Sequence, residues 1–330
     1  MLNVVGKRGW YFLFSALILL PGLISLVMPP GWATGDSGLN PGIDFTSGSV
    51  LQVTFDKSVN EQQIQQQMDA LGHPEALIQK TGSDSAFIRT MQFREAQGEE
   101  LSEREIVERH LEETLGLQRA KVDFESVSPI IAGETVRNAI LAVAAASVFI
   151  LGYIWYAFRL VPKPWRYGVS AILALVHDVV FVLGVFSVLG RALNMEVNSM
   201  FIVGILIVAG YSVNDTIVVF DRIRENVVRH PDRGLDSTVN VSVMETIGRS
   251  LNTSFTTLFV LLAMLLLGGP SIRELLLAVA LGAVIGTYSS IFIASQFLVI
   301  WDRGELGRFL RMGRRSAAAR ASGLLSILSR

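Results

Sequence analysis

Six stretches of this chain are too long and too apolar for the core of an ordinary soluble domain. A helix needs about 20 mostly apolar residues to cross the hydrocarbon of a bilayer. Residues 10–28, 138–158, 169–189, 199–220, 252–267 and 275–300 meet or approach that length. The fifth reaches it only if its polar start, "RSLNTSFTT", also lies in the membrane. The composition agrees, with 51% of the 330 residues hydrophobic and only 17% charged. The first stretch follows Lys7 and Arg8, exceeds the apolar core of a secretory signal, and leads into "MPPGWATGDSG", a poor small-x-small cleavage site. It reads as a retained signal-anchor.

The net charge of −1 hides two unlike populations. Residues 31–136 hold 18 of the 29 acids and 8 of the 28 bases. The basic residues elsewhere alternate with the spans: Lys7 and Arg8, then Arg159, Lys163 and Arg166, then Arg222, Arg224, Arg229 and Arg233, then a tail from Arg303 to Arg330. The intervening short loops carry only Arg191 and Arg273, with Arg137 at a span edge. Excess lysine and arginine marks the cytoplasmic side. Both termini are therefore expected in the cytoplasm and the acidic loop outside. This asymmetry points to sidedness in a bilayer, not to nucleic acid.

That loop carries a fold of its own. "SVLQVTF" (49–55) alternates as a strand, and "EQQIQQQMDALG" (61–72) has helical propensity. "EALIQK" and "SAFIRTMQ" read as strands flanking a turn, "SEREIVERHLEETLG" (102–116) as an amphipathic helix, and "RAKVDFESVS" (119–128) as a last strand. The order β-α-β-β-α-β is that of the ferredoxin-like motif. The expected architecture is six transmembrane helices plus a small α+β ferredoxin-like periplasmic domain between the first and second. Its segments are residues 1–30, 31–136, 137–301 and a basic cytoplasmic tail, 302–330.

Much chemistry is absent. There is no cysteine, no nucleotide-binding P-loop, no H-E-x-x-H and no G-x-S-x-G, and the four histidines are scattered. Neither an enzyme nor an ATP-driven pump is expected, and no metal or cofactor. Work must come from a gradient or a partner.

The polar groups inside the spans carry the rest. In "AGYSVNDTIVVFDRIREN" (209–226), Tyr211, Asp215 and Arg222 fall near one helical line, with Asn214 and Asp221 on the next. Val213, Ile217 and Phe220 would take the opposite side. The polar stripe is expected to line a bundle interior. Span five brings Arg249, Asn252, Thr253 and Thr256 in from the same side. Intramembrane ionisable groups are costly and usually functional. A carboxylate between a dry site, which raises its pKa, and a guanidinium, which lowers it, can titrate when the partner moves. A purely structural Asp215–Arg249 pair is the alternative. His177 and Asp178 in span three read first as hydrogen-bonding glue between helices and second as relay members. "GAVIG" (282–286) is a small-xxx-small face, a motif common by chance in membrane segments.

These residues, in order, resemble the SecF family of protein-translocase subunits, within the RND superfamily. The resemblance covers nearly the whole chain. It rests on "PGIDFTSGS" (41–49), "VHDV" (176–179), "GYSVNDTIVVFDRIREN" (210–226) and "RSLNTSFTTL" (249–258). Family members more often read Gly-Gly where this chain has Ser47-Gly48. The resemblance implies a six-span half completed by SecD. It also implies work beside the SecYEG channel and export of preproteins across the plasma membrane, driven by the proton motive force. The proton gradient then stands in place of a cofactor, Asp215 and Arg249 being the proton-coupling pair. Further partners expected are a YajC-like accessory subunit and membrane lipids. A proton-driven RND-type exporter of small or lipidic molecules remains the alternative. Gly42, Asp44 and Thr46 are expected to form a periplasmic connector, since Pro41 and Gly42 favour a turn and Asp44, Thr46 and Ser47 can bond exposed backbone groups.

The orientation is open to direct measurement. A cysteine at Ser83 is expected to react with an impermeant thiol reagent in intact cells, and one at Ser316 to stay unlabelled. The reverse pattern overturns the orientation drawn from the arginines.

Overall fold

The computed structural model describes residues 3–28, 38–94, 101–159, 161–269 and 272–305. The basic tail from Arg308 onward lies outside the described residues. In chain order the elements are α1 (Arg8–Val27), a single turn α2 (Ile43–Thr46), β1 (Gly48–Thr54), α3 (Glu61–Ala70), β2 (Leu77–Lys80), β3 (Ser85–Thr90), α4 (Glu103–Leu115) and β4 (Asp123–Val127). They continue with α5 (Pro129–Ala157), α6 (Trp165–Leu193), α7 (Ser199–Arg229), α8 (Leu235–Leu267) and α9 (Arg273–Asp302). The last contains a π-helical segment at Ser290–Ala294. Contacts divide the chain into two compact units. One comprises Met1–Leu39, Ala142–Met195 and Met200–Arg330, the other Asn40–Leu141 and Glu196–Ser199.

Among the described residues, six helices are long and apolar enough to span a membrane. Two run well past their apolar stretches. Beyond Phe220, α7 continues through a polar extension laced by Asp221–Arg224, Arg222–Glu225 and Glu225–Arg229 pairs at helical spacing. The fifth span, expected to be short, belongs to a 33-residue helix, because its polar first half still buries Val239 and Val243 completely.

Small and hydroxyl side chains set how these helices meet. Ser15 bonds His177, Ser25 bonds Ser187, and a methyl group on Gly22 would lie 2.6 Å from the backbone of Gly184. The separation is 162 residues each time, and a constant difference, not a constant sum, means that α1 and α6 run parallel in fixed register. Arg191 then donates to the carbonyls of Ser25 and Met28 at the end of α1. A second parallel pair forms between α7 and α9. Gly204 faces Ala278, Val208 faces Gly282, Ser212 faces Gly286, and the Thr216 and Ser290 hydroxyls bond at 2.8 Å. The four-residue step is a small-xxx-small seam, in which the missing side chains let backbones approach. "GAVIG" is half of that seam.

The second unit is a four-stranded antiparallel sheet in the order β2-β3-β1-β4. That is the order of the ferredoxin-like motif. Alternate residues of β1 and β3 are buried, including Leu51, Val53, Ala86 and Ile88. They pack with Ile64 and Met68 of α3 and Val107 and Leu111 of α4. Both helices start with a capping box, Asn60 with Gln63 and Ser102 with Glu105. Those bonds from the Ser102 amide and hydroxyl hold the exposed Glu105 carboxyl below its ordinary range. The last strand begins later than expected, at Asp123, because Arg119–Lys121 form a 3-10 turn. The connector sits here too. The Gly42 amide donates to the Val197 carbonyl at 2.7 Å and the Val197 amide to the Asn40 carbonyl at 2.8 Å. Asp44 accepts from the Ser199 amide at 2.6 Å, and Thr46 donates to the Gly42 carbonyl.

Ser47 and Gly48 carry consecutive positive φ angles, 64° and 126°. Glycine adopts such angles freely, whereas serine is strained there by about 1 kcal/mol or more. Ser47→Gly is therefore expected to strengthen protection of the β1–β3 amides in hydrogen exchange, by about 1 kcal/mol. Gly48→Ala should weaken it, since the added methyl would lie 2.6 Å from the Thr90 carbonyl oxygen. In the helical unit, Gly282→Leu drives a side chain into Val208 and is expected to cost at least about 1–3 kcal/mol in thermal unfolding. Gly210→Leu, with nothing within 4 Å of the new Cβ, should leave the isolated subunit within about 0.5 kcal/mol.

Candidate functional site

Asp215 lies near the middle of α7 and is 3% exposed. Its Oδ2 accepts from the Thr287 hydroxyl of α9 at 3.2 Å. Thr287 in turn bonds Ser254 of α8, and the Tyr211 hydroxyl donates to Ser254 at 3.3 Å. A carboxylate and a tyrosine of α7 are thus joined through two hydroxyls, one on α8 and one on α9. A hydroxyl can donate or accept by turning. This chain of groups can therefore serve both a charged Asp215, which only accepts, and a protonated one, which also donates.

A second cluster lies on α6. Asp178 is completely buried. Its Oδ2 accepts from Ser212 of α7 at 2.5 Å and from Ser289 of α9 at 2.7 Å, and its Oδ1 meets His177 Nδ1 at 2.9 Å. The other ring nitrogen of His177 bonds Ser15 of α1 at 2.5 Å.

Sequence spacing placed some groups differently. Val213 and Phe220, expected opposite the polar stripe, are buried, whereas Asn214 and Asp221 are exposed. The reason is that α7 is enclosed on more than one side. Phe220 packs against Phe158 and Tyr167, while Gly204, Val208, Ser212 and Thr216 face α9. A single inward stripe describes a peripheral helix, not a central one. Asp215 and Arg249, expected to act together in proton coupling, are not joined by an ion pair among the described residues. Arg249 is exposed and makes no ion pair among the described residues, and Asp215 is met by Thr287 instead. Asn252 and Thr256 are likewise exposed, Thr256 bonding only the backbone of its own helix. His177 and Asp178 are brought together; Gly42, Asp44 and Thr46 belong to the α+β unit. Sequence reasoning passed over Thr287, Ser289 and Ser290, although "GTYSS" (286–290) is the one cluster of hydroxyls in the sixth span.

Known proteins resemble this chain in sequence and in fold. The family model described as "Protein export membrane protein SecD/SecF, C-terminal" matches residues 106–304, and the "SecD/SecF GG Motif" matches residues 32–59. The protein translocase subunit SecF of Thermobaculum terrenum is 40% identical over 325 residues, covering 97% of this chain and all of that protein. This chain belongs to the SecF family. The SecF subunit of Anaerolinea thermophila is 35% identical over a similar span. A solved structure of SecDF, described as a translocon-associated membrane protein, from Thermus thermophilus superposes with a TM-score of 0.74 at 33% identity. It matches 92% of this chain but only 39% of its own chain is covered. The residues matched to the GG motif include Ser47 and Gly48, whose positive φ angles are ones that glycine adopts freely.

Proposed function

We propose that this chain couples a proton gradient to preprotein export, in complex with a SecD-like subunit and beside a SecYEG channel. Asp215 is the group that takes up and releases the proton. In this reading the chain performs no covalent chemistry, needs no cofactor, and sits in the bacterial plasma membrane with both termini cytoplasmic and the α+β unit periplasmic. A YajC-like subunit is a further neighbour.

The observation that carries this reading is an intramembrane carboxylate, buried against hydroxyls, beside a polar face that nothing among the described residues covers. Asn214, Arg249, Asn252, Thr253 and Thr256 are exposed on helices of membrane-spanning length. Gly210 and Gly248, four residues before the two asparagines, leave open space at their Cα atoms. Unpaired polar groups in hydrocarbon cost several kcal/mol. Small and polar residues repeated at four-residue spacing are what a closely approaching second helix requires. The SecDF relatives hold a counterpart of this chain as about two fifths of a longer one, which agrees with a second half. Arg249, on that open face, competes with Thr287 for the charged form of Asp215 as the halves move.

One charge crossing the full potential supplies about 2.3 kcal/mol per 100 mV, enough to shift a two-state equilibrium about fiftyfold. Asp215→Asn keeps the size and some hydrogen bonding but carries no titrating proton. It is expected to fold, bind its partner and lose the gradient-dependent part of preprotein translocation into vesicles. Arg249→Met is expected to do the same, and the double variant to be no worse than either single one. Full uncoupler-sensitive translocation by Asp215→Asn vesicles would show Asp215 to be structural.

A further inference from the structure

We propose that His177 and Asp178 form a second proton-holding site in the membrane unit, distinct from Asp215, with Ser15 as the group through which its proton exchanges. This rests on the proton-linked reading above and adds a site to it.

Asp178 is completely buried and its Oδ2 already receives two hydroxyl donors, Ser212 and Ser289. A carboxylate so placed is served as an acceptor by both hydroxyls, and a proton held beside it cancels its charge. The compensating proton has one evident seat, the adjacent imidazole. With His177 doubly protonated, Nδ1–H donates to Asp178 Oδ1 and Nε2–H donates to Ser15 Oγ, so every polar atom is used and the pair is neutral overall. With His177 singly protonated on Nδ1, Nε2 becomes an acceptor and the Ser15 hydroxyl turns to donate to it; the pair then carries one negative charge, met by Ser212, Ser289 and the Nδ1–H group. Both states fit the same heavy-atom positions, at 2.9 Å and 2.5 Å, because a serine hydroxyl both donates and accepts. A site that serves two protonation states without moving a side chain can exchange a proton with no rearrangement of its heavy atoms. The step is simple: the Nε2–H bond breaks, the proton joins Ser15 Oγ, and the proton that Ser15 held passes to a water molecule.

The other titratable groups on the packed helices are engaged elsewhere. On α1 and α9, the Tyr288 hydroxyl donates to the Tyr11 carbonyl. On α7, Tyr211 donates to Ser254 and Asp215 accepts from Thr287. Tyr11, Tyr211, Asp215 and Tyr288 make no hydrogen bond to the pair among the described residues. Arg166 and Arg191, near the ends of α6, lie about 18–20 Å away along its axis at about 1.5 Å per residue. The pair is therefore a site of its own, yet it shares α7 and α9 with Asp215. Ser212 lies three residues before Asp215, and Ser289 two residues after Thr287. Movement of α7 against α9 disturbs both acids at once.

The test is nitrogen NMR of histidine-labelled full-length chain in lipid nanodiscs, with the His177 signals identified by their loss in His177→Gln. The expected result is that the ring occurs in both singly and doubly protonated forms, with Nδ1 protonated throughout, as pH is varied across the range in which the folded chain is stable. Ser15→Ala is expected to slow proton exchange at Nε2 at least about tenfold, and Ser15→Thr to restore it, because only the hydroxyl relays the proton. Asp215→Asn should leave the His177 titration in place. A ring that keeps one protonation state across that range overturns the proposal, as does unchanged exchange in Ser15→Ala or loss of the titration in Asp215→Asn. Translocation does not enter this measurement, so the second site and the export role of Asp215 can fail separately.

Discussion

Hydrocarbon offers a polar group nothing to bond to, and the membrane unit is organised around that fact. Most hydroxyl, carboxyl and imidazole groups buried between its helices find a partner on another helix or on their own backbone, Ser170 and Ser250 being exceptions among the described residues. Individual bonds of this kind stabilise little, about 0.6 kcal/mol on average, because a chain unfolded within the membrane also finds partners. Leaving one unmade costs several times more. The asymmetry makes the polar contacts determinants of register more than sources of stability. Ser15 with His177 and Ser25 with Ser187 fix α1 on α6, and Thr216 with Ser290 fixes α7 on α9. The glycines between them permit the approach and the hydroxyls decide where it stops.

The same constraint divides the polar residues of the spans into two populations. Asp178 and Asp215 are buried and hydrogen-bonded within the chain, while Asn214, Asn252 and Arg249 are exposed. The first population completes this subunit, and the second calls for another protein surface.

The spans and the order of the α+β elements were legible in the sequence because each has a one-dimensional signature. Hydropathy over about 20 residues marks a crossing, and alternation marks the strands of "SVLQVTF" and "SAFIRT". What sequence reasoning missed depends on the third dimension. The extra length of α7 and α8 is invisible to hydropathy, since these segments are polar and held by i,i+3 and i,i+4 charge pairs and by a few buried valines. A single lining face for α7 assumed a helix at the edge of the bundle. Because α7 is enclosed on more than one side, Val213 and Phe220 are as buried as Asp215. Thr287 drew no attention because a lone threonine in an apolar span ordinarily bonds its own helix, as this one also does through the Ala283 carbonyl. Its second bond, to Asp215, exists only because α9 lies in one register against α7.

The π-helical segment of α9 has a geometric consequence. Each residue turns an α-helix by about 100°, and a π turn accommodates one residue more than the regular spiral does. Residues before Ser290 and after Ala294 are therefore out of phase by about that angle relative to an uninterrupted helix. The phase break lets Thr287 and Ser289 reach two different acids while Leu298 and Val299 still point into the apolar core. Removing a single residue from 290–294 would restore the spiral and swing one half of the helix about a third of a turn. Either the acids or the core would then lose their partners, with no change in side-chain chemistry. The segment acts as a phase adjuster, and its length matters as much as its composition.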